Sequence, residues 1–155
     1  MSCAKEHAQA FGAAFFAPQG GAAMASVNYV AAVGRLLMAA IFLSSGFHKL
    51  LTPDQTQAYI ESAHIPLPGV AYWATTAIET IGGLCLVLGL ATRFAALILA
   101  TFSIAAAVVF HSNFGDQSQF INFMKNLAIA GGLLQVVAFG SGGLAITHRR
   151  RKSFP

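Results

Sequence analysis

Glu79 is the residue most out of place in this sequence. It lies in an apolar run from about Ala71 to Leu90 that holds no other charge. A carboxylate in lipid is costly unless it is protonated or paired, and ionisable groups at such depth mark ligand sites, proton paths or register-fixing ion pairs. Glu79 stands about eight residues, or roughly 12 Å, into this helical run. Gly82 and Gly83 follow one turn on. Small residues let a neighbouring helix come close, so this face points into protein rather than lipid.

Polar groups gather at a matching depth in the other apolar runs. Ser45, His48 and Lys49 close the first, with Ser45 and Lys49 on one face four residues apart. His111 closes the third, and Asn122, Lys125 and Asn126 open the fourth, ahead of a second glycine pair at Gly131 and Gly132. If the runs pack antiparallel in chain order, Glu79 reaches Lys49 or Lys125, and His111 sits beside them. The candidate ligand-binding set is Lys49, Glu79, His111, Lys125, Asn126 and, more weakly, His48. Glu79 would serve as proton acceptor or hydrogen-bond partner, and the cations and imidazole as donors. The competing reading is structural: an ion pair that fixes register at Glu79, lysines that snorkel to the interface (Lys49 above all), and ordinary interfacial histidines. A metal would need Glu79 or Asp116 as a third ligand, and no HxxxH or HxH spacing occurs, so no metal site is expected.

The elements that hold these groups follow from composition. The 155 residues are 56% hydrophobic and only 9% charged, against about 25% charged in soluble domains. Such a chain calls for lipid as its solvent. Its net charge of +4 suggests nucleic acid only at first sight, because the basic residues form no stripe interleaved with aromatics. Spans are expected at about 28–51, 71–90, 94–110 and 123–146, each near the ~20 residues that cross a bilayer core. The runs are continuously apolar, which favours helices over a barrel. The expected fold is all-α, a four-transmembrane-helix antiparallel bundle. Thr52-Pro53-Asp54-Gln55 reads as a helix start with Thr52 as N-cap, so a short interfacial helix to about Ala63 belongs in the first outer loop. Ile65-Pro66 and Leu67-Pro68 favour an extended segment after it, and Arg93 caps a tight hairpin between spans two and three. Gln135 reads as a lone interhelical hydrogen bond.

Seven basic residues (Lys5, Arg35, Arg93 and Arg149 to Lys152) fall on the side of the termini, against Lys49 and Lys125 opposite. The asymmetry puts both termini in the cytoplasm, with Arg35 as an anchor at that face. Residues 1–26 are expected to be poorly ordered, and 148–155 to form a basic cytoplasmic tail. Three readings of the first stretch stay open: a cytoplasmic tail, a weak signal peptide, or residues upstream of a start at Met24. Cys3 and Cys85 form no CxxC and no zinc spacing. GxSxG, phosphate-loop, dinucleotide and HExxH motifs do not occur.

Taken in order, several segments resemble the DoxX family of bacterial inner-membrane proteins. They are Gly34-Arg35-Leu36-Leu37, Gly46-Phe47-His48-Lys49-Leu50, Glu79-Thr80-Ile81-Gly82-Gly83-Leu84, Gly89-Leu90-Ala91-Thr92-Arg93, Phe110-His111-Ser112-Asn113-Phe114 and Met124-Lys125-Asn126-Leu127. The resemblance covers about residues 30–147. Its His-Ser-Asn-Phe and Met-Lys-Asn-Leu segments are similar to an uncharacterised enterobacterial-type branch. The resemblance implies a four-helix protein of the inner (plasma) membrane. It also implies a link to redox metabolism, since the family takes its name from a subunit associated with thiosulfate:quinone oxidoreduction. Other members are linked to membrane complexes that handle oxidative or thiol stress. This chain has no matched cysteine pair for direct thiol exchange. The leading expectation is a membrane redox subunit that binds a quinone or another small hydrophobic ligand. Besides the lipid bilayer, its expected partners are a membrane redox protein or a second copy in a homo-oligomer, with no nucleic acid. A small-solute carrier or permease, and a structural or assembly partner without a ligand, stay open beside it. The sequence does not decide whether the protein is an enzyme.

Overall fold

In lipid, each backbone N–H and C=O must find its partner within its own segment, so long apolar runs become helices. The computed structural model describes residues 21–142, 144 and 145. They form α1 (Gly21–Leu51), α2 (Pro53–Ser62), α3 (Pro68–Leu88), α4 (Thr92–Phe110) and α5 (Gln117–Phe139). All but α2 are long and apolar enough to cross a membrane, the crossing part of α1 being Val27–Leu51. The described fold is all-α with four membrane spans and a short helix after the first, as the sequence implies. The basic tail and residues 1–20 lie outside the described residues. Helix α1 begins at Gly21, ahead of the expected start near Asn28.

The last span departs furthest from expectation. It was expected at 123–146 but runs from Gln117 to Phe139. At its start, the Asp116 carboxylate accepts the Ser118 N–H at 2.7 Å, so the polar stretch before Phe123 is already helical. At its end, Gly140 has φ +82° and Gly142 φ +70°, which breaks the helix. Helix α3 begins at Pro68, where a missing N–H is harmless. It closes at Gly89 (φ +70°), with the Leu90 N–H reaching the Cys85 carbonyl at 3.0 Å. Two local expectations fail. Leu67 is left-handed (φ 55°) rather than extended. Thr52 forms no side-chain cap. Its hydroxyl donates back to the His48 carbonyl at 2.9 Å, because α1 runs to Leu51 and its last carbonyls are still within reach.

Helix α1 packs on α3, α3 on α4 and α4 on α5, while α1 and α5 meet only lightly. Small residues set these approaches. A Cβ on Gly82 would lie 2.9 Å from the Leu99 side chain, and one on Gly83 2.9 Å from Leu43. The core is Ala39, Phe42, Leu86, Ala96, Leu99, Ala100, Ala130 and Leu133. It thins towards the end that carries α2, and polar side chains take its place there.

Candidate functional site

The buried face of α3 is Tyr72, Thr76, Glu79, Gly83 and Leu86, a helical stripe that turns Glu79 onto α1. Opposite it, α1 offers Gly46. A Cβ there would lie 2.5 Å from Thr80 Oγ1, so only glycine permits this approach. The close contact delivers Ser45 and Lys49 to the carboxylate. Lys49 Nζ donates to Glu79 Oε2, forming an ion pair. Ser45 Oγ donates to Glu79 Oε1 at 3.2 Å, and Lys49 Nζ also reaches Ser45 Oγ at 3.2 Å. The Tyr72 hydroxyl donates to the Lys49 carbonyl at 3.1 Å and fixes the last turn of α1. Glu79 is 5% exposed. Lys49 therefore turns inward rather than snorkelling, because its carboxylate partner lies within the bundle.

Beside this triangle lies a cavity of about 360 Å³ lined by side chains of all five helices. Its polar groups are Ser45, Lys49, Glu79, His111, Lys125 and Asn126, with Thr56, Tyr59, Thr75 and Ser103. Lys125 does not pair with Glu79. Its ammonium donates to Asn122 Oδ1 at 2.9 Å, and Asn126 Nδ2 donates to the Asn122 carbonyl at 3.0 Å. His111 Nδ1 is 2.8 Å from Gln119 Oε1. Five of the six expected site residues thus face one space. His48 is exposed and is not among the residues lining it. Among the described residues no group of three or more His, Cys, Asp or Glu is placed to hold a metal.

Helix α2, whose Tyr59 and Ile60 are expected from the sequence to face lipid or protein, walls the cavity. Ile60 is buried, and Tyr59 stacks on Phe110 of α4 with ring centroids 5.1 Å apart. The one available signal was that Thr56, Tyr59 and Ile60 share a face of a short helix. Asp116 lies outside the spans, where its hydrogen bonds to Ser118 hold its carboxyl below the usual range. It caps α5 and does not line the cavity.

At the opposite end, Arg35 is 4% exposed rather than anchored at an interface. Its Nη1 donates to the Ser141 carbonyl at 2.5 Å, while its Nε has no partner. The guanidinium lies over Gly89, where a Cβ would be 3.3 Å from Nη1. Arg93 lies against Gly140 in a similar way, 3.2 Å from the place of a Cβ. Gln135, expected to bond between helices, is exposed on α5.

Four membrane spans around a polar cavity fit an integral membrane protein, and comparison with known sequences supplies the family. The DoxX family model matches residues 30–112, and the chain belongs to the DoxX family. The matched segment takes in Lys49, Glu79 and His111 and stops before Lys125 and Asn126. Inner membrane protein YqjF of Escherichia coli (strain K12) is 35% identical over 122 residues, 79% of this chain and 92% of that protein. Inner membrane protein YphA of the same organism is 30% identical over 122 residues, 76% of this chain and 87% of that protein. No solved structure matches the chain.

Proposed function

We propose that the protein is a bacterial inner-membrane subunit of a redox system, and that its cavity binds a quinone or another small hydrophobic molecule. The observation that carries this reading is the 360 Å³ cavity with Glu79, Lys49, His111 and Lys125 on an otherwise largely apolar lining. Ligand sites are commonly of this kind, mostly apolar with a few convergent polar groups. Quinone reduction takes up protons with electrons. Glu79 and His111 suit that need as proton-handling groups, and the Lys49 and Lys125 ammonium groups suit carbonyl oxygens. The inner membrane is the placement named for both relatives, and the excess of basic residues on the side of the termini supports a topology with both termini in the cytoplasm and the cavity in the outer half. A redox partner protein in the same membrane would supply or take the electrons.

The test is mass spectrometry of organic extracts from the detergent-purified protein, alongside oxidative-stress assays of cells carrying Glu79→Gln. A lipid-soluble redox molecule in the wild-type extract and greater stress sensitivity in the variant are expected. An extract without such a molecule, together with an unchanged stress response, would overturn the reading.

A further inference from the structure

We infer that the cavity takes a ligand with an apolar body and a single negatively charged head, and that Lys125 holds the head. This deepens the reading above and rests on the cavity being a ligand site. The case is one of charge balance. Glu79 is the only carboxylate that lines the cavity, and Lys49 neutralises it. Lys125 is the other lysine on the lining, and the Lys49–Glu79 pair is the only salt bridge among the described residues. Asp116 is engaged with Ser118 at the start of α5, and Asp54 and Glu61 are exposed on α2. The Lys125 ammonium gives one hydrogen bond, to Asn122, and an ammonium has three N–H groups to give. The lining thus carries one uncompensated positive charge.

The surroundings sharpen the choice of ligand. Ile41, Phe42, Phe102, Ala106 and Ile129 give the lining apolar surface between its uncharged polar groups, which suits a hydrocarbon body. The volume of about 360 Å³ is at the small end of ligand pockets, which run from about 300 to 1,000 Å³. A free amphiphilic acid and an acidic bilayer lipid share the required chemistry.

The experiment uses the full chain in nanodiscs of neutral phosphatidylcholine at mildly alkaline pH, with binding read by native mass spectrometry. Dodecanoate is compared with methyl dodecanoate, which has the same body without the charge. The acid is expected to bind tighter by about tenfold or more, the size of a charged hydrogen bond. Lys125→Gln should abolish that preference by weakening the acid far more than the ester. Lys125 is exposed at the cavity rim, so the substitution leaves the packing intact. Competition by added phosphatidylglycerol would identify a bilayer lipid as the source, and its absence a free acid. Equal affinity for acid and ester, or an undiminished preference in Lys125→Gln, overturns the inference. A short-chain ubiquinone analogue separates the two claims. Its binding without any preference for the acid would sink the charge argument alone. No binding of quinone, ester or acid would sink the underlying reading as well.

Discussion

The two ends of the bundle each draw a cation inward, Arg35 buried and Lys49 half-buried, and deal with it differently. At the α2 end, Lys49 meets a carboxylate and a hydroxyl, and a cavity opens beside them. At the other end, Arg35 lies against Gly89 and gives its hydrogen bond to the Ser141 carbonyl. Arginine keeps its charge where lysine can lose a proton, and its flat guanidinium packs well on exposed backbone at helix ends. The Arg35 end ties α1 to the segments that follow α3 and α5. The Lys49 end spends its ion pair on one helix contact and leaves donors unused. The contrast sets a fastening at one end against an open polar cavity at the other, the end proposed to bind a ligand.

Removing one partner of the ion pair should have the largest effect. Glu79→Gln strands the Lys49 ammonium in the bundle, a loss of about 3–5 kcal/mol in thermal unfolding in detergent. Changing both partners together, Lys49→Met with Glu79→Met, should restore most of that stability. If the double variant folds but loses the co-purifying ligand, the α2 end is a binding region. If it keeps the ligand, the pair serves register alone and the contrast weakens. Arg35→Met should come next, at about 1.5–3 kcal/mol from the lost charged hydrogen bond, with ligand content unchanged. A loss of ligand in that variant would break the comparison, because it would make both ends part of one site.

The smallest effects separate two glycines. Gly46→Ala forces α1 from α3 and should cost about 1–3 kcal/mol. Thr80 Oγ1, the atom it would strike, is buried without a partner, so Thr80→Ala should rescue it. Gly131 has nothing within 4 Å of a would-be Cβ. There alanine should raise stability by up to about 1 kcal/mol, the helix-propensity difference. Melting curves of the three variants and the double variant would check both.

Much of the candidate site could be read before the fold was known, for physical reasons. Lone charges in apolar runs stand out, and spacing put Ser45 and Lys49 on one face and a glycine pair beside Glu79. Which lysine meets Glu79 could not be read, because it depends on how closely α1 and α3 approach at Gly46. The early start of α5 was hidden by its polar first turns, which look like loop until Asp116 is recognised as a cap. Arg35 was misread because its acceptor is a backbone carbonyl, and backbone acceptors leave no mark in the residue types. Tyr59 was not assigned to the site because a short amphipathic helix has several surfaces it can cover.

The light contact between α1 and α5 has a mechanical consequence. The strong contacts follow chain order, so the bundle is a folded strip whose two long edges meet lightly and are tied by the Arg35–Ser141 hydrogen bond at the end away from α2. Such a strip is stiff along its length and compliant across that join. The motion that breaks the fewest interactions swings the α4–α5 hairpin away from α1. Residues of α1 and α5 both line the cavity, so opening that join would widen it. A molecule dissolved in the bilayer would then enter sideways, and its occupancy would follow its mole fraction in the lipid rather than its concentration in water.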